Sequence, residues 1–195
     1  MSFKKSESGY TLTELLCVVI IIGILSAVLL PTLMRVIGTF RVNTAILQIH
    51  LHAGAARMGA IGGAFDGHNV REETSRTLCI GNTDKGIKFQ QIAGTNCEGL
   101  SESSWFHVGG GVRVSEDHST FRTKSGLMGK GSGDNPIFRV SFADTRAGLG
   151  ASYGQLGRVT VEHGWTPETR CLFQFNVDGS TNIRRNKECE VRRRR

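Results

Sequence analysis

The sequence predicts an α+β fold in which one long N-terminal helix packs on an antiparallel β-sheet head. Three observations predict it. Residues 15–30, LLCVVIIIGILSAVLL, are almost wholly apolar. Past Pro31, apolar residues keep recurring at helical spacing to about Met58. From Gly59 onward, short apolar stretches alternate with Gly-, Asn- and Asp-rich turn signals. At 195 residues the chain is long enough for one compact domain plus an anchor, and too short for two well-filled domains.

The first element is a short polar stretch, residues 1–9, MSFKKSESG. A secretory signal would place its apolar core before a small-residue cleavage site, and no such site stands out near Pro31. The alternative is cleavage before the apolar run, which would leave the run on the mature chain. Tyr10, Leu12 and the intervening threonines extend the sixteen-residue block to roughly twenty, enough for a helix to cross a bilayer. Lys4 and Lys5 place the leader in the cytoplasm and the residues beyond Pro31 outside. Glu14 lies near one end of the span, where a carboxylate is costly unless it finds a partner.

Gly9, Tyr10, Thr11-Leu12, Glu14, the apolar run and Pro31 together resemble the class III signal of type IV prepilins and pseudopilins. The match covers about 30 residues. It departs from the family pattern at Tyr10, where phenylalanine is common, and at Thr13, where an aliphatic residue is common. The resemblance implies that a prepilin peptidase cuts between Gly9 and Tyr10 and methylates the new amino terminus. It implies that Glu14 neutralises that amine on a neighbouring subunit during filament assembly. The expected location is the inner membrane, single-pass with a periplasmic head, and then a filament. The expected role is a structural, minor subunit of a type IV pilus or a type II secretion pseudopilus, in initiation or at the tip. The expected partners are other pilin or pseudopilin subunits, the peptidase and the inner-membrane assembly platform.

The second element is the continuation of the helix over residues 32–58. Leu33, Val36, Ile37, Phe40, Leu47 and Leu51 form its apolar stripe, with Ile46 and Ala53 nearby, and this half is expected to pack on the head. Arg35, Arg41, Asn43, Gln48 and Arg57 supply the polar side. Pro31 is the expected kink and Gly38 a looser point. His50 and His52 are two apart, which is the wrong spacing for a shared metal on a helix.

The head is expected over residues 59–183. Its strands are read at Thr77–Ile80, Gly86–Gln90, Gly111–Val114, Ile137–Ala143, Gly157–Glu162 and Cys171–Val177. Cys17 lies in the apolar run, which leaves Cys79, Cys97, Cys171 and Cys189 as disulfide candidates with three possible connectivities. Moderate loop lengths favour the local pairs Cys79–Cys97 and Cys171–Cys189, and oxidised cysteines suit a periplasm. Within the pilin superfamily the head is most similar to minor pseudopilins of the GspH type and minor pilins of the FimT/FimU type, through Leu78-Cys79, Trp105 and Gly157-Arg158-Val159.

No enzyme, metal or cofactor is expected. The histidines are scattered, and neither H-E-x-x-H nor a zinc-type cysteine pair occurs. Glu72-Glu73 and Glu116-Asp117 read as solvated surface, the Gly129–Gly133 stretch as a flexible loop, and Asp178 with Asn176 falls short of a calcium site. The remaining signal is a basic tail, residues 184–195, with seven basic and two acidic side chains, a net +5 of the chain's formal +7. Arg184, Arg185, Lys187, Arg192, Arg193, Arg194 and Arg195 are candidates for sequence-tolerant contacts to DNA phosphates. FimT-like minor pilins imply a DNA-uptake role for such a feature. Lipid headgroups or an acidic partner protein are the alternatives. No aromatic stands beside these arginines in sequence, as a single-strand stacking platform would require.

Overall fold

The computed structural model describes residues 11–65, 75–94, 97, 100–121, 137–143, 151–152, 157–174 and 179–190. Helix α1 spans Leu12–Phe65, 54 residues, or about 80 Å at the usual rise. It starts where Thr11 and Glu14 cap it and ends just past Gly62 and Gly63, whose freedom disfavours further helix. It runs without interruption through Pro31, seven residues beyond the expected end at Met58. Pro31 has no amide to offer the preceding turn. One turn's packing is not at stake there, because no residue near it is buried.

Burial divides the helix. From Leu12 to Ile37 no residue is buried, and Gly38 is the first that is. Beyond it Val42, Ala45, Ile46, Ile49, Ala53, Ala56 and Ala60 are buried against the head. The sequence reading assigned the head to a different stripe, and the structure corrects it. Leu33, Val36, Ile37, Phe40, Leu47 and Leu51 are all exposed, between 42% and 69%, and only Ile46 and Ala53 of that set are buried. At about 100° per residue the two stripes lie on opposite sides of the helix. Alanine explains the choice, since short side chains let the sheets approach the helix backbone and pack densely.

The head is built from two antiparallel sheets where one was expected. The first has the strand order β3-β2-β1-β5-β6, from β1 (Arg76–Thr83), β2 (Gly86–Ala93), β3 (Phe106–Gly109), β5 (Ile137–Ala143) and β6 (Ala151–Ser152). The second has the order β4-β7-β8-β9, from β4 (Val112–Val114), β7 (Gly157–His163), β8 (Thr166–Gln174) and β9 (Thr181–Arg185). Leu78 and Ile80 of β1, Val140 and Phe142 of β5, and Val159, Val161 and Leu172 of the second sheet close over α1 as one core. β1 and β2 meet in a tight hairpin, with Thr83 opposite Gly86. A Cβ on Gly86 would fall 2.0 Å from the Val108 carbonyl oxygen of β3, so only glycine lets the third strand pair there.

The Asn82 side chain bridges the sheets. Asn82 at the end of β1 donates from Nδ2 to the Val114 carbonyl (3.0 Å) and accepts the Val114 amide on Oδ1 (2.8 Å). Its amide thus stands in for one residue of a neighbouring strand, satisfying both backbone groups of β4. On the reverse face of β1, Cys79 is bridged to Cys97, and the pair packs with Trp105 as a satellite cluster. The outer face of the second sheet carries the other bridge, Cys171–Cys189.

The boundary between head and tail also differs from the expectation. Arg184 and Arg185 belong to β9, Lys187 to a 3-10 turn over Asn186–Cys189, and Cys189 is buried. The head therefore takes in residues 184–190, which composition alone had assigned to the tail. Charge-rich edge strands are ordinary, because lysine and arginine discourage pairing with other chains. The strand read at Cys171–Val177 begins earlier, at Thr166, and residues 175–178 lie outside the described residues.

Candidate functional site

Two regions carry the candidate residues, the N-terminal end of α1 and the outer face of the second sheet. At the first, Thr11 and Glu14 form a reciprocal capping box. Glu14 Oε2 accepts from the Thr11 amide (3.0 Å) and the Thr11 hydroxyl (3.1 Å), and the Glu14 amide donates to Thr11 Oγ1 (3.3 Å). Such a box satisfies orphan donors of the first turn and places a negative charge at the positive end of the helix dipole. Gly9 and Tyr10 lie outside the described residues. Within the described residues, α1 is the one helix long and apolar enough to cross a membrane, and no part of its most apolar window is buried. Cys17 is a free, exposed thiol on it.

The structure thus separates three faces of one helix. The N-terminal half is apolar all round and touches nothing. The C-terminal half gives one face to its own head. Its opposite face, from Leu33 through Phe40 and Leu47 to Met58, is apolar and unpartnered. A soluble helix would carry polar residues there.

On the second sheet, register decides which basic residues share a surface. Arg158 pairs with Phe173, Cys171 with Arg184, and Phe173 with Asn182, so Arg158, Phe173 and Arg184 all lie on the outer face. The Arg184 guanidinium stands over the Phe173 ring at 5.7 Å, so the fold brings an aromatic beside an arginine that the sequence separates by eleven positions. Glu188 restrains this cluster. Its carboxylate meets Arg184 at 3.3 Å and its carbonyl accepts from Arg158 at 3.1 Å. Burial lowers the Arg158 pKa from its ordinary value, yet a guanidinium remains cationic at neutral pH. Arg185, opposite Arg170 in the next register pair, lies on the face toward α1 and not with Arg184. Lys187 sits in the turn beyond β9. Arg192, Arg193, Arg194 and Arg195 lie outside the described residues. The Cys171–Cys189 bridge ties the root of that segment to the middle of β8, on the same face as Arg184.

The other candidate groups come to little. His50 meets Thr181 and His52 meets Gln91, so both serve the helix–head contact. Among the described residues, no three His, Cys, Asp or Glu side chains are grouped to hold a metal ion. Glu116 and Asp117 are exposed on a turn, while Glu72-Glu73, Gly129–Gly133 and Asn176 with Asp178 lie outside the described residues. Sequence reasoning missed Trp165, Arg41 as its partner, and the Asn82 bridge. Nothing in periodicity marks them, because each acts through residues distant in the chain.

No solved structure gives a significant match to the chain. The conclusion that the N-terminal geometry supports is matched by comparison at the level of the motif: residues 4–30 fit the family model of the prokaryotic N-terminal methylation motif, which is typical of type IV pilin and pseudopilin subunits.

Proposed function

We propose that this chain is a structural subunit of a type IV pilus or type II secretion pseudopilus, present in small numbers and placed at initiation or at the tip. The observation that carries the reading is the double-faced helix, apolar opposite its own head and bare along its membrane half. Such a surface is stable only in lipid or among like helices, and a filament core supplies the second. Cleavage after Gly9 makes Tyr10 the mature N-terminus, with Glu14 one turn away from the amine. Glu14 then exchanges its bonds to Thr11 for the amine of a neighbouring subunit, a trade of hydrogen bonds for a charge pair in a medium of low dielectric.

Mass spectrometry of the membrane-derived protein tests the processing step, with an N-methylated Tyr10 expected and a retained leader expected for Gly9→Val. Glu14→Leu should leave the protein in the membrane and remove it from sheared filaments. Recovery of that variant in filaments at the wild-type level would refute the pairing role.

A second reading, DNA capture during uptake, is favoured by the arginines around Phe173 and by the anchoring of the basic segment beside them. Truncation after Glu190 and Arg184→Ala are suitable tests. Ending the chain at Ile183 would cut β9 and delete Cys189, and would confound binding with folding. Salt-dependent DNA binding by the full-length protein that weakens in both variants supports the reading, and equal binding by all three sinks it.

A further inference from the structure

We propose that the membrane-proximal pole of the head, the β7–β8 turn at Gly164–Trp165 with Arg41 and Lys85 beside it, seats on the phosphate headgroups of the membrane that α1 crosses. The inference rests on the reading of the bare half of α1 as a membrane span.

Two hairpin turns, β1–β2 and β7–β8, and the β3–β4 turn that passes from one sheet to the other converge at this pole. The Gly111 amide donates to the Lys85 carbonyl of the β1–β2 turn (3.2 Å). Gly110, in the β3–β4 turn, accepts on its carbonyl from Arg41 Nη1 (2.9 Å) and from His163 Nε2 (2.7 Å). The Trp165 amide donates to His163 Nδ1 (3.0 Å), so this ring accepts at Nδ1 and donates at Nε2. Gly110 and Gly111 both have positive φ, 90° and 76°, so the turn that receives Arg41 is one that glycine makes easily. Thr39 and Thr166 join the turn to the helix through their hydroxyls at 3.1 Å. The two contacts made by α1, from Thr39 and Arg41, fall just beyond Gly38, its first buried residue, immediately above the bare half.

Trp165 is held rigidly and left open. Its ring packs edge-on to the buried His163 at 5.1 Å, and the Arg41 guanidinium stands 5.2 Å from its centre, yet 47% of the residue is exposed. Trp105, the other tryptophan, is 7% exposed. A lone exposed tryptophan is unremarkable on a protein surface. A preorganised one beside cations, at the junction with an apolar span, has the composition of an interfacial anchor.

The level agrees. Leu15–Met34 is twenty residues, about 30 Å of helix, the thickness of the hydrocarbon core. Arg41 follows seven residues later, about 10 Å higher. The headgroup layer is about 5–7 Å deep, and an ordinary helix tilt of about 20° lowers one side of the head toward it. Exposed side chains close to these residues in the chain include Arg35, Phe40 and Lys85, with Asp84 and the Arg170-paired Glu168 as acids. A surface of apolar and cationic groups with little acid fits anionic phosphates and suits a protein partner less well.

The test uses the full-length protein in vesicles containing about one third phosphatidylglycerol, with and without lipids brominated near the carbonyl end of the chain. Bromine quenches an indole it touches, so tryptophan emission should fall about two-fold in the brominated vesicles. Trp165→Phe should abolish the fall, since Trp105 is shielded. Arg41→Gln with Lys85→Gln should diminish it without releasing protein from the vesicles, and added salt should do the same. Vesicle flotation is measured alongside. Protein that floats but shows no quenching overturns the inference and assigns the pole to a protein partner, with the anchor reading intact. Quenching indifferent to salt and to the double variant overturns the role of phosphate. Protein that does not float overturns the span itself.

Discussion

The two halves of α1 belong to one unbroken helix and are opposite in use. From Leu12 to Ile37 the helix touches nothing of its own chain, and from Gly38 to Ala60 it supplies one wall of the head's core. The second half carries Arg41, Asn43, Gln48, His50, His52 and Arg57, and the halves differ in side-chain size as well as in polarity. Bulky Ile, Leu and Val populate the bare half, and four of the seven residues on the buried stripe are alanine, which brings the sheets close. Small residues mark where a helix meets its own fold, and large aliphatic ones where it awaits another medium.

Opposed substitutions on the C-terminal half break that comparison most directly. Ile49→Asp buries an unpaired carboxylate against both sheets and should cost about 4 kcal/mol or more, seen as lost protease resistance of the head. Leu47→Asp, on the opposite face, should stay within about 0.5 kcal/mol of wild type in the same assay and yet be missing from filaments. Equal destabilisation by the two would mean that the faces are not distinct. Next in size are the bridges. Each closes an 18-residue separation, so Cys171→Ser with Cys189→Ser should remove about 3 kcal/mol from the head in thermal unfolding, leaving the bare half helical. Asn82→Ala leaves the Val114 amide and carbonyl without their partner and should cost about 1–3 kcal/mol, a loss confined to the junction between sheets. Smallest is Arg184→Ala. Its exposed ion pair with Glu188 contributes at most about 0.5 kcal/mol, so melting should hardly move, whereas the salt slope of any DNA binding should fall by about one.

Much of this was legible in the residues. The helix and the span declare themselves through a long apolar run followed by sustained helical spacing, and the strands around Phe138-Val140-Phe142 through alternation. The local pairing of the cysteines also follows the moderate loop lengths. What escaped has physical causes. Two apolar stripes on one helix give no single preferred face, so periodicity could not say which of them the head takes. β3, FHVG, is short and exposed along an edge, and lacks the inward face that makes alternation visible. The last two residues of β9, Arg184 and Arg185, read as tail because their charge obscures a strand whose partly buried Ile183 faces the core. Gly9 and Tyr10 are legible only as a motif, since the cleavage proposed between them would be the work of a separate peptidase.

Both disulfides close within the head, and neither crosses to α1, whose one cysteine is free. In the proposed filament, tension would enter along the helix axis. Apart from the polypeptide link after Phe65, it passes to the head through non-covalent contact along the alanine face and through Thr39, Arg41, Asn43, His50 and His52. Such a layer resists sliding, because every contact along some twenty residues is strained together, about 30 Å of lap joint. It is weaker against prying from one end, where contacts give way in turn. The covalent reinforcement protects the shape of the head and leaves its grip on the shaft reversible.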